Sequence, residues 1–190
     1  MQDDAGSRYS LESYFDARWH RVHRSLAVDT SGIEAYSAWR EKALRTLRQL
    51  IGYDTLQSAP LEPRVTEEVV FDEYLRQRIE LQVEPNVWMP LYALIPRQGR
   101  QAYPAVIAPH GHGSGGKYAV AGRRDIPAIA ETVNTYNYDY GVQFARAGLI
   151  AFCPDARGFG ERQERWVRGN ILESSCRYIN AMAYPLGQTI

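Results

Sequence analysis

In the first part of the chain apolar residues recur at three- and four-residue steps. Leu11, Tyr14, Phe15, Trp19, Val22 and Leu26 follow this spacing, which puts them on one face of an amphipathic helix. Ser31 and Glu34 have the S-x-x-E form of a capping box. They open a second helix with Tyr36, Trp39, Ala43, Leu47 and Leu50 on one face and Gly52 at its end. The Pro- and Ser-rich stretch Ser58 to Pro63 reads as a linker. Beyond Arg64 the period becomes strand-like: Val65 to Phe71, Leu75 to Val83 and Val87 to Ile95 are β-rich, the last two joined as a hairpin through Glu84, Pro85 and Asn86. Ala105 to Pro109 and Leu149 to Pro154 are short, wholly apolar runs, as expected of strands covered on both faces of a parallel sheet. Between them Tyr140, Phe144 and Ala147 mark a helix that Gly148 ends. Strand, helix, strand is a βαβ crossover. The pattern therefore predicts an α/β fold, with a two-helix N-terminal extension over residues 1–57. An antiparallel hairpin and a parallel βαβ unit follow within residues 64–190, and Pro185 to Ile190 reads as the first turn of a further helix.

Composition narrows the function classes. A length of 190 residues suits one domain with a helical extension, and 45% hydrophobic with 23% charged residues is a globular balance. Lys plus Arg equals Asp plus Glu at 22 each, so no charge excess points to nucleic acid or an anionic membrane as partner. Cys153 sits in an apolar run and Cys176 in an expected helix, without a C-x-x-C pattern; both read as buried free thiols rather than a disulfide or zinc site. The opening MQDDAGSRYS lacks the basic start and apolar stretch of a signal peptide. No apolar run has transmembrane length, and a cytoplasmic protein is expected.

The candidate chemistry lies in H-G-H-G-S-G-G-K, His110 to Lys117, directly after the apolar run ending at Pro109. Gly111, Gly113 and Gly116 satisfy the dinucleotide pattern G-x-G-x-x-G, but the next strand begins only at Leu149, too late for the acidic residue that reading needs. Gly111, Gly116 and Lys117 fit a phosphate loop whose Ser or Thr is replaced by Tyr118, which removes the magnesium-binding hydroxyl. His110 and His112 could form a metal pair only with a third ligand such as Asp125 or Asp139, since His20 and His23 belong to the first helix. In the fourth reading the loop is an oxyanion hole: an HG-type sequence after a core strand turns a backbone N–H toward a substrate carbonyl. Glycines let the backbone come close and take the necessary positive φ.

PAVIAPHGHGSGGK, followed by DYGVQFARAGLIAFCPDARGFGER, resembles the dienelactone-hydrolase and acetyl-xylan-esterase-like branch of the α/β-hydrolases, from about Val87 to the C-terminus. The resemblance implies a serine carboxylic-ester hydrolase acting on small acyl esters, acetylated sugars or lactones, with no cofactor and no metal. It implies that the backbone N–H of His112 supplies half the oxyanion hole, with Gly111 and Gly113 shaping the turn and His110 in a loop-shaping role. Asp155 to Arg162 would be the loop after the fourth core strand; its residues read as local ion pairs of Asp155 with Arg157 or Glu161 with Arg162, the alternative being a substrate-facing role for Arg157 or Phe159. A family member should go on to a G-x-S-x-G nucleophile and then its acid and histidine. Ser114 has His112 two positions before it, and Ser174 and Ser175 lie in an expected helix without flanking glycines. The chain thus reads as the N-terminal half of such an enzyme. The alternative is a non-catalytic half-domain whose sheet a partner chain completes, and either reading exposes a sheet edge open to self-association.

Overall fold

Helices α1 (Glu12–Arg21) and α2 (Ile33–Leu50) realise the two early periodic segments. The first is shorter than its apolar spacing predicts. Val22 is already extended, with φ −81° and ψ 119°, and Leu26 lies outside the helix, where its carbonyl accepts the Trp39 indole N–H at 3.1 Å. A tertiary hydrogen bond to the second helix thus replaces the continuation of the first. Nor does the expected capping box form: the Ser31 hydroxyl donates to Asp29 at 2.6 Å, and Tyr36 N–H takes the Gly32 carbonyl at 2.9 Å. Gly52 ends the helical run in the left-handed region, at φ 65°.

The computed structural model describes residues 9–167 and 169–189. The chain divides into two units, Met1–Gln49 and Leu50–Ile190. The second is built on a five-stranded mixed sheet of β1 (Arg64–Val70), β2 (Tyr74–Glu84), β3 (Val87–Pro96), β4 (Ala105–Ile107) and β5 (Ile150–Pro154), in the order β1-β2-β3-β5-β4. The first three strands are an antiparallel meander, β3 pairs antiparallel with β5, and β4 pairs parallel with β5. Between β2 and β3 the connection is Pro85 and Asn86; Pro85 keeps a negative φ while Asn86 lies at φ 63°, the pattern of a type II turn. This is an α/β fold, as the periodicity predicts.

Three helices lie in the crossover from β4 to β5: α3 (Lys117–Val120), α4 (Pro127–Tyr136) and α5 (Tyr140–Arg146). Only α5 was legible as a periodic apolar face. The main core joins Tyr74, Tyr92 and Leu94 to Ala108, Val120, Val142, Ala151 and Cys153, while Ala119, Ile129 and Val133 form a smaller cluster with Tyr138 and Ile171. The apolar composition of β4 predicts burial on both faces, but Ala105 is exposed and Ile107 is 72% exposed. The strand is the last of the sheet, paired on one side only, so part of its side-chain surface has no covering layer. Helix α6 (Cys176–Ala183) follows, with Ser174 and Ser175 before it rather than inside it. In place of a new helix, Tyr184–Leu186 is a 3-10 turn closed by Gly187. The tail then returns to the segment after α2: Thr189 N–H donates to the Ile51 carbonyl at 3.3 Å and the Gln188 amide to Thr55 at 2.8 Å.

Candidate active site

Pairing with β5 continues one residue past β4, where Ala108 N–H donates to the Phe152 carbonyl at 2.8 Å. The glycine-rich loop therefore begins at the C-terminal end of a parallel strand, where α/β sheets place their ligands. The loop is pinned by its own polar groups. Ser114 is fully buried, and its hydroxyl donates to the Gly111 carbonyl at 2.7 Å. The His110 ring bridges two backbones: Ala156 N–H donates to Nε2 at 3.0 Å, and Nδ1 lies 2.9 Å from the Gly111 carbonyl. Since Nε2 accepts, the ring proton belongs on Nδ1, where it donates to Gly111. Both nitrogens are thereby occupied. The Tyr140 hydroxyl donates to the Pro109 carbonyl, and the Tyr138 hydroxyl lies so close to Gly111 that a side chain there would collide with it.

His112 stands at the exposed tip. Its ring meets Phe159 edge-on, with centroids 4.9 Å apart, and Phe159 also contacts the His110 ring at 4.9 Å. Its Nε2 lies 3.6 Å from the Cys176 thiol. Cys176 is half-buried, not buried as the sequence suggests, whereas Cys153 is buried and its thiol pushed up to about 12 by desolvation. Among the described residues the backbone N–H of His112 makes no hydrogen bond. Gly113, next in the chain, has φ 73°. The arrangement is thus a rigid turn with an uncommitted N–H at its exposed tip.

Beneath the loop lies a group of charges that sequence reasoning did not assemble. The Lys117 side chain is fully buried, and its ammonium donates to Asp155 Oδ2 at 2.6 Å and to Glu161 Oε1 at 2.5 Å. Asp155 also accepts the backbone N–H of Lys117 at 2.7 Å and of Glu161 at 3.1 Å. Gly116, at φ 69°, brings the backbone against this carboxylate, and any side chain at that position would displace it. Arg78, on β2, closes the group with hydrogen bonds to Glu161 of 3.1 and 2.6 Å. Burial alone would raise the Glu161 carboxyl, but the hydrogen bonds and charges of Arg78 and Lys117 prevail and hold it near about 2. The expected local ion pairs are therefore replaced by distant ones: Asp155 takes Lys117, Glu161 takes Lys117 and Arg78, and Arg157 pairs with Glu84. Burial decides this, because a desolvated ammonium requires carboxylates at contact distance. A lysine between two glycines and an apolar run was the available sequence signal.

This geometry bears on the other readings of the loop. Lys117 points into the protein and not toward a phosphate site. Asp125 and Asp139 are engaged by Arg123 and Arg124, and among the described residues no three His, Cys, Asp or Glu side chains are grouped to hold a metal ion.

A family model described as the Abhydrolase family matches residues 24–179. The chain belongs to that family of α/β-hydrolases. Among solved structures it resembles a Bacteroides fragilis protein assigned as an acetyl xylan esterase, with a TM-score of 0.70 and 17% identity over 95% of this chain and 46% of that one. It also resembles a methylesterase, with a TM-score of 0.52 and 22% identity over 77% of this chain and 28% of that one. This α/β-hydrolase chain thus spans less than half the length of either structure. No curated protein matches its sequence. No described helix is long and apolar enough to cross a membrane.

Proposed function

We propose that this α/β-hydrolase chain forms the oxyanion-hole end of a serine carboxylic-ester hydrolase acting on small acyl esters or lactones. One observation carries the reading: at the end of β4, a turn held by Ser114, His110 and Tyr140 presents the His112 N–H without an internal acceptor. A donor fixed before the substrate arrives needs no reorganisation when negative charge develops on the carbonyl oxygen, and one such donor is worth about 3 kcal/mol of barrier. The Ser-His-Asp triad lies outside this chain, and Ser114 is not its nucleophile. Its hydroxyl is buried and bonded to backbone carbonyls, and among the described residues no His, Asp or Glu side chain is hydrogen-bonded to it.

The test is hydrolysis of p-nitrophenyl acetate by the product of the whole reading frame and by its His112→Pro variant, which lacks that N–H. We expect kcat to fall roughly 10²- to 10³-fold with KM little changed. An unchanged kcat would remove His112 from the oxyanion hole. The exposed edge strand β4 favours a second reading, a non-catalytic half-domain completed by a partner chain. Absence of any hydrolysis by the whole product would favour it.

A further inference from the structure

Between the β2–β3 hairpin and the segment after β5 lies an open cleft of about 530 Å³, a size that suits a small organic ligand. We propose that this cleft binds a monoanionic organic carboxylate, held by Arg162 with Arg157 beside it and with its apolar body against Trp88 and Ile179. The proposal does not depend on the esterase reading.

The charges along the cleft differ in how they are satisfied. Arg78 is tied to Glu161 and Glu80, and Arg157 to Glu84. Arg162 has no carboxylate among the described residues; its guanidinium, half-buried, donates to the Asp155 carbonyl at 3.1 Å. It also forms, with Arg157, part of the wall of a second cavity of about 470 Å³, so both guanidinium groups line two open cavities. Burial first, and then the charge of Arg157, pull Arg162 down to about 10, while Asp155 opposes the shift. It stays cationic at neutral pH, and an incoming anion would relieve both costs.

Ligand class follows from what else lines the cleft. A planar guanidinium matches the geometry of a carboxylate. Glu80, Glu161 and Glu164 line the same space and disfavour a second negative charge, which counts against phosphate. Val87, Trp88, Pro90 and Ile179 supply an apolar wall for a ring or alkyl body. Phe159, which packs on His110 and His112, follows directly after the cleft-lining Arg157 and Gly158. The cleft therefore adjoins the glycine-rich loop across a single short segment.

Titration calorimetry of the chain with benzoate, with benzyl alcohol and with inorganic phosphate tests the proposal. We expect saturable binding of benzoate, with the alcohol and phosphate each at least about tenfold weaker. Arg162→Gln should weaken benzoate at least about tenfold, whereas Arg177→Gln, exposed on α6 and outside the cleft lining, should change it less than about threefold. Should Arg162→Gln fail to melt cooperatively, Arg162→Lys takes its place, since it keeps the charge, loses the planar fork and should still weaken binding. No saturable benzoate binding, phosphate binding as tight as benzoate, or indifference to substitution at Arg162 would each overturn it.

Discussion

The ammonium of Lys117 and the carboxylate of Asp155 meet at 2.6 Å with neither side chain reaching solvent. The pair ties the start of α3 to the end of β5 and so fixes the two loops at the candidate site. Removing one member strands the others: in Lys117→Met, Asp155 is left buried without its cation and Glu161 loses the ammonium at its Oε1. We expect a loss of about 3 kcal/mol or more, read as a lower urea midpoint at unchanged slope. A loss below about 0.5 kcal/mol, the scale of ordinary surface substitutions, would show that the cluster does not hold the loops.

Glu161 makes this cluster acid-sensitive. Its carboxyl sits at about 2 in the folded chain, below its value of about 4.3 when unfolded. The stability it contributes is thus complete above the unfolded value and is lost as the pH falls toward 2. Urea midpoints between pH 6 and pH 2.5 should drop steeply in the wild type and less in Glu161→Gln, which has no proton to take up there. Parallel pH profiles would locate the acid lability in other carboxylates.

Ser114→Ala should cost about 1 kcal/mol, because one buried hydrogen bond is lost and the Gly111 carbonyl keeps the His110 ring as a donor. The chain by itself should hydrolyse p-nitrophenyl acetate no faster than background. Turnover by the wild-type chain that the substitution abolishes would make Ser114 a nucleophile and refute its placement as a strut.

Edge strand β4 presents Ile107 at 72% exposure, with unpaired backbone on its outer side and no charge or proline within Ala105 to Ala108 to deter another strand. The chain should therefore self-associate, and Ile107→Lys should shift it toward monomer. Light scattering on a sizing column reads both. A wild-type monomer at all concentrations would rule out this edge as a contact.

What was legible in the sequence was local. The change from three- and four-residue steps to a strand-like period located both N-terminal helices and the first three strands, because that period reports which side of an element is apolar, and the last two strands showed as short, wholly apolar runs. Asn86 marked the hairpin, and the glycines of residues 111–116 marked a loop of close backbone approach, since few other residues tolerate those conformations. Strand order, and what covers each strand, were settled only in three dimensions. The apolar run of β4 carries no record of having one neighbour, and the end of α1 depended on a carbonyl captured by Trp39 from another helix. The partners of Asp155 and Glu161 also came from outside their own segment. Residue 117 lies 38 positions before Asp155 and residue 78 lies 83 before Glu161, and adjacent Arg157 and Arg162 looked equally suitable on charge alone. Charge alone does not choose between them: a buried ammonium must be neutralised where it is desolvated, and only the fold determines which carboxylates are within reach.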